Sequence, residues 1–266
     1  MNIDPGRDRA IDLARKLLAK AEGAGVSDAE AQAFAAKAAE IMLRHNLTDA
    51  VVRAAQAGPS GRAEPLEVLV WTVSGVGGHG RHRLWGISTV AEAYGCATCA
   101  FGNDITPRSR SLHIVGTTAD LDTLQMLLPA VAAIAETSAA QGARRRRDAL
   151  AAQGWYTRNE LDREARLYRR SFLVGFGQGV AGQISRLRVG VVDELRTATT
   201  GADLVLLERH ARVLAEFTRR YPKLRKGRSV RTGSTEGRND GIQAGRNMPL
   251  GGNSIDDQSD RPELDR

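Results

Sequence analysis

Apolar residues in the first fifty positions recur at intervals of three or four. Ile11, Ala14, Leu17, Leu18 and Ala21 line one face of a helix over residues 6–23. Gly23 and Gly25 stop it. Ser27, with Glu30 three residues on, has the pattern of a capping box, in which each side chain satisfies an amide of the other's backbone. The helix that starts there carries Ala31, Phe34, Ala35, Ala38, Ile41 and Met42 as its stripe. It is predicted to end near His45 and Asn46. Two helices joined by a short turn predict an antiparallel helical hairpin over 6–47. Residues 48–65, rich in Ala, Gly and Pro toward their end, read as a linker.

The spacing then changes. Residues 66–73 (LEVLVWTV) are a β-rich run. A glycine-rich loop at 75–80 leads into a helix at 81–94 with Leu84, Ile87, Val90 and Ala91 on one face. Two short apolar runs, 96–101 and 109–115, flank turn residues and predict a hairpin. Residues 120–140 return to helical spacing through Leu121, Leu124, Leu127, Leu128, Val131 and Ile134. The order strand, helix, strand, strand, helix predicts a small α/β domain over 66–140 with a short mixed sheet. Residues 141–158 read as a basic connector. The strongest helical signal follows, from Leu161 through Ala165, Tyr168, Phe172, Phe176, Val180 and Ile184 to Leu187. With a further helix at 202–220 it predicts long helices over 159–222 packed on the α/β domain. The fold class expected is α+β and helix-rich.

Past Tyr221 the composition turns to Gly, Ser, Asn, Arg and Asp, so 223–266 is expected to be largely disordered. Within it Gly233, Gly237, Gly241 and Gly245 stand four apart. On a helix they would share a face and admit a second backbone. Each glycine costs about 1 kcal/mol relative to Ala in a helix, so such a helix needs a partner or the body of the protein.

Charge divides the chain more sharply than hydropathy does. The protein has 266 residues and net charge +7. Residues 143–232 alone carry +12, and the rest is net acidic. The cations are mostly Arg, whose fork matches phosphate geometry bidentately. The candidate phosphate contacts are Arg144, Arg145, Arg146 and Arg147 in one run, Arg163, Arg166 and Arg170 on one helical face, and Arg219, Arg220, Lys223, Arg225 and Lys226 beyond the last long helix. Such a segment points to a DNA or RNA backbone bound without reading sequence.

Other chemistry is sparser. His79-x-x-His82 and Cys96-x-x-Cys99 pair four residues of the type that holds tetrahedral zinc. A helix between the pairs separates them by about 20 Å at 1.5 Å per residue. The loop Gly75-Val76-Gly77-Gly78-His79-Gly80 lies between a strand and a helix, where amides can meet an anion. It lacks the Gly-Lys-Ser/Thr ending of a P-loop. No nucleophile elbow or metalloprotease motif is present. No run approaches the roughly 18 apolar residues of a membrane helix. With two cysteines and no apolar leader segment, a cytoplasmic protein is expected.

The N-terminal residues Lys16-Leu17-Leu18-Ala19-Lys20-Ala21, Glu30-Ala31, Ala38, Met42, His45 and Leu47 resemble the domain-of-unknown-function family 2786. Val115-Gly116, Ala119-Asp120-Leu121, Leu127-Leu128 and the segment Arg169-Arg170-Ser171-Phe172-Leu173 with Gly175-Phe176 look like the extension of its actinobacterial relatives. The resemblance implies an actinobacterial or phage protein and supplies no activity and no catalytic residues. The expected function is a non-enzymatic, nucleic-acid-associated protein. The alternatives are a zinc-stabilised domain or metal-dependent enzyme, and an adaptor or structural oligomer with a protein partner on the hairpin. No membrane partner is expected.

Overall fold

Local signals set the first two helices, and the tertiary contacts then lengthen the second. The computed structural model describes residues 5–21, 23, 26–57, 64–75, 78–102, 109–225 and 230–248. Helix α1 (Pro5–Ala21) packs on α2 (Asp28–Ala57) as the hairpin expected from the sequence. The capping box forms: Ser27 Oγ accepts from Glu30 N at 3.3 Å, and the Glu30 carboxylate accepts from Ser27 N at 2.9 Å. Helix α2 runs past His45 into the segment expected to be a linker. Its extension is held by burial of Leu47 and Val51 and by Asn46, whose amide donates to Ala119 O and Thr123 Oγ1, both at 3.0 Å. Residues 58–63 of the expected linker lie outside the described residues.

The α/β unit follows as β1 (Leu66–Val73), α3 (Gly80–Ala93), β2 (Ala97–Gly102), β3 (Arg110–Thr117) and α4 (Thr118–Ala151). The sheet is antiparallel throughout, with order β1-β3-β2, and not mixed as expected. The reason is topological. The α3 crossover leaves β1 and β2 one strand apart, and the β2–β3 hairpin folds β3 into that gap. Val70 and Cys99 both pair with His113 across it. One face carries Leu69, Trp71, Leu112 and Ile114, with Thr98 sharing a 2.7 Å hydrogen bond with Ser88 of α3. The opposite face carries His113, whose Nδ1 meets the Tyr221 hydroxyl at 2.9 Å.

Helix α4 continues through Arg144–Arg147 to residue 151, where a connector was expected. Ala139, Gly142 and Ala143 are buried there, and Gly142 has no room for a side chain because the Tyr168 ring lies against it. By length and composition α4 is apolar enough to cross a membrane. Its Leu121, Leu124, Leu127, Leu128 and Val131 are core residues here. Helix α5 (Arg158–Ala198) is the longest element and starts with a second capping box, Thr157 with Glu160. Helix α6 (Ala202–Arg220) is helical from its first turn and lies near β3 and β2.

The segment expected to be disordered contains α7 (Thr235–Asn247). Its glycine face lies directly on α5. A Cβ added at Gly237, Gly241 or Gly245 would fall within 3 Å of the backbone of Tyr168, Phe172 or Phe176. One added at Gly175 or Gly179 would meet the Arg238 or Ile242 carbonyl as closely. Close approach lets polar groups satisfy the helix ends: Ser234 N donates to Ser171 Oγ at 3.0 Å and Gln183 donates to Met248 O at 3.1 Å. Midway along α7 Tyr168 donates to the Asp240 side chain at 2.5 Å. The intrinsic cost of the glycines is thus offset by contact that only glycine permits. Residues 249–266 lie outside the described residues.

A buried polar cluster joins the hairpin, α4 and α6. The Arg209 side chain, 8% exposed, pairs with Asp120 at 2.7 Å and Glu64 at 3.1 Å and donates to Thr117 Oγ1. Asp120 also accepts from Asn46 at 3.2 Å. Burial pulls the Arg209 pKa down, and the two carboxylates more than offset it, leaving it raised.

Two stability predictions follow from this packing. Gly241→Ala and Gly179→Ala push a methyl into backbone and are expected to destabilise by about 1–3 kcal/mol. Gly182→Ala and Gly190→Ala, on the same α5 but with open space around them, are expected to stabilise by up to about 1 kcal/mol. Urea unfolding of the four variants checks the opposed signs. In the polar cluster, Arg209→Leu strands the buried Asp120 carboxylate and is expected to cost about 3–5 kcal/mol. Adding Asp120→Asn is expected to recover part of that loss, read as a positive coupling in a double-mutant unfolding cycle.

Candidate phosphate-binding groove

The end of β1 and the start of α3 are brought together by a loop that turns back on itself. Gly78 has φ 70°, the left-handed region that glycine adopts without strain. At Gly80, the first residue of α3, a Cβ would stand 2.9 Å from Gly75 Cα. Gly86 and Gly177 then let α3 and α5 touch at the backbone. These contacts set the first turn of α3 against the middle of α5.

Arginines from four separate parts of the chain meet at this place. A groove of about 690 Å³ is lined by Arg81, His82, Leu167, Arg170, Val230, Arg231 and Gly233. It adjoins a pocket of about 370 Å³ bounded by Gly75, Gly78, Gly80 and Arg110 together with Arg81, His82 and Arg170. The carbonyl of Arg231 lies 3.4 Å from His82 Nε2, which ties the segment before α7 to α3.

Glu136 neutralises part of the charge behind the groove. It pairs with Arg83 and, at 2.5 Å, with Arg169. Burial pushes its carboxyl up, and hydrogen bonds and charge from the two arginines more than offset this, so it sits below the ordinary range. Arg83 also donates to Ser74 O at 2.9 Å, fastening the loop. Arg110, Arg170 and Arg231 make no ion pair with a carboxylate among the described residues.

His79, only 4% exposed, is pushed down to about 4, first by burial and then by the charges of Arg169, Arg83 and Arg170. His82 is lowered by burial and by Arg170 and Arg81, against an opposing hydrogen bond to Arg231. Both shifts favour the neutral ring. Four buried side-chain atoms have no hydrogen-bond partner among the described residues: His79 Nδ1, His82 Nδ1, Arg169 Nε and Arg170 Nε. Of these residues His82 and Arg170 line the groove, and His79 and Arg169 do not. Buried polar atoms are ordinarily satisfied, so the two orphaned nitrogens on groove residues are a chemical feature of the site. Helix α3 adds its N-terminal amides, whose dipole favours an anion.

The cations singled out from sequence stand in different settings. Arg170 is in the groove. Arg144, Arg145, Arg163 and Arg166 are exposed on the last turns of α4 and the first turns of α5, and make no ion pair among the described residues. Arg146 pairs with Glu236 at 3.0 Å and Arg147 with Asp162 at 3.1 Å. Arg219 and Arg220 share Glu216, at 2.7 and 2.5 Å, and their hydrogen bonds bring that carboxyl down to about 2. Lys223 and Arg225 are exposed past α6, and Lys226 lies outside the described residues.

The proposed zinc ligands are not brought together. His79 and His82 stand at the start of α3, whereas Cys96 and Cys99 follow its end. Cys96 is buried beneath Gly116, and burial holds its thiol well above the ordinary value; burial raises Cys99 to about 11. Among the described residues no group of three or more His, Cys, Asp or Glu side chains is placed to hold a metal ion.

Sequence reasoning missed Arg81 and Arg110 as site residues, and counted Arg231 only as one more cation of the basic segment. The glycine loop was the signal nearest to them. Its partners come from β3, α5 and the segment before α7, which no local pattern links. No curated protein and no solved structure matches the chain. Residues 9–49, in the hairpin and not the groove, match the family described as protein of unknown function (DUF2786).

Proposed function

We propose that the protein is a cytoplasmic, non-enzymatic, nucleic-acid-associated protein of actinobacterial or phage origin that contacts phosphates without reading base sequence. The observation that carries this reading is the groove at the start of α3. Arg81, Arg110, Arg170 and Arg231 line it and its adjoining pocket beside helix amides and orphaned buried nitrogens. Arg163 and Arg166 continue the positive charge along α5. Arginine forks at this density suit phosphate oxygens better than a single carboxylate. Histidines held toward the neutral form fit hydrogen bonding to a ligand rather than charge pairing. Carboxylates on Arg146, Arg147, Arg219 and Arg220 make those four secondary, so the groove and the exposed α4–α5 arginines are the primary contacts.

The test is fluorescence anisotropy with labelled duplex and single-stranded oligonucleotides across a salt series. Binding is expected at low salt, with log K falling linearly as log salt rises, by roughly 0.7–0.9 per phosphate neutralised. Arg110→Ala combined with Arg170→Ala is expected to weaken binding to every sequence alike and to lower the slope by about 1–2. Absence of binding to both oligonucleotides at low salt, or binding indifferent to salt, overturns the reading.

A further inference from the structure

The turn between α4 and α5 holds Trp155 in water. Its side chain is 74% exposed, more than any other large hydrophobic among the described residues. The turn that carries it is hydrogen-bonded at both ends. Helix α4 is closed by Ala152 N donating to Asp148 O at 3.0 Å and Gly154 N donating to Ala151 O at 3.1 Å. Gly154 turns the chain at φ 81°, and the Thr157–Glu160 capping box begins α5 two residues after Trp155. Tyr156 stands beside it, ring centroids 6.3 Å apart. The aromatic pair is therefore presented on a short, fully capped turn.

Cations and carboxylates both flank it, Asp148 on α4 and Glu160, Asp162 and Glu164 on α5 among them. Arg144 and Arg145 lie on the adjoining end of α4, and Arg158 opens α5. From there Arg163, Arg166 and Arg170 follow at i, i+3 and i+7, hence on one face. That face rises about 18 Å between residues 158 and 170 at 1.5 Å per residue. It ends in the groove, where Leu167 and Arg170 are wall residues. An exposed indole at one end of an arginine track calls for a polymer that offers both a π-face and regularly spaced phosphates. An unpaired nucleotide strand has both. A duplex keeps its base faces stacked on each other and offers only phosphates.

We propose that Trp155, with Tyr156, is a base-stacking platform, and that the strand running from it along Arg163 and Arg166 into the groove is single-stranded nucleic acid. The proposal rests on the phosphate-binding reading above and narrows its ligand. Stacking on an aromatic ring is tolerant of base identity, in keeping with a site that does not read sequence.

The experiment compares wild type, Trp155→Ala and Trp155→Phe, binding a labelled oligo(dT) and a duplex of equal length at low salt, with inorganic polyphosphate as competitor. The exposed position leaves folding intact, checked by unfolding midpoint. Wild type is expected to bind oligo(dT) more tightly than duplex. Trp155→Ala is expected to weaken oligo(dT) binding about tenfold, Trp155→Phe to restore most of it, and the polyphosphate inhibition constant to stay unchanged. Duplex preferred over oligo(dT), or Trp155→Ala equal to wild type on oligo(dT), overturns the stacking platform while phosphate binding stands. Loss of oligo(dT) and polyphosphate alike in Trp155→Ala also overturns it, as does a Trp155→Ala defect seen only on vesicles of anionic phospholipid. If no polyanion binds to wild type, both this proposal and the reading beneath it fall.

Discussion

The structure depends on how closely other backbones can approach α5. Helix–helix contact usually holds axes apart by the thickness of two side-chain layers. At Gly175 and Gly179 against Gly241 and Gly245, and at Gly177 against Gly86, that layer is missing. Two helices on different sides of α5 consequently lie against its main chain. Helix α7 would not hold together alone at its glycine content. On α5 its backbone gains dispersion contact, its ends gain hydrogen bonds with Ser171 and Gln183, and its middle gains one from Tyr168 to Asp240.

The same constraint makes the groove. With α3 seated at Gly177, its first turn faces Arg170 across a short gap. With α7 seated one turn away, residues 230–233 pass over the same spot and close the groove on its far side. The positive charge gathered there would repel itself, and Glu136 limits that cost by pairing with Arg83 and Arg169. Arg110, Arg170 and Arg231 make no ion pair with a carboxylate among the described residues. Elsewhere the compensation is more complete: Glu216 holds Arg219 and Arg220, and Asp162 and Glu236 hold Arg147 and Arg146. Net charge by segment therefore overstates the contribution of Arg146, Arg147, Arg219 and Arg220 and passes over Arg81 and Arg110, which lie outside the basic segment.

Much of the fold was legible because its signals are local. The capping box at Ser27, the period through Leu161–Leu187 and the paired apolar runs at β2 and β3 each act within a few residues. What was not legible depends on distant partners. Helix α2 outlasts its own stripe because Asn46 finds acceptors on α4. The basic run of α4 continues a helix whose Gly142 packs against Tyr168 of α5. The four-residue glycine spacing of α7 was visible, and so was its need of a surface to order against; which surface was not. In the candidate site Arg170 and the glycine loop were visible separately, and only the α3–α5 contact shows that they adjoin. The resemblance at the hairpin concerned a part of the chain remote from the groove, and it could not have pointed there.

The central claim is that glycine contact on α5 holds α7 and, with it, the wall of the groove. Hydrogen exchange on the full chain tests it most directly. Amides of residues 237–245 are expected to exchange far more slowly than in an unstructured peptide, with protection close to that of the α5 residues 172–180 beneath them. Exchange of 237–245 at the free-peptide rate, alongside a protected α5, would contradict it.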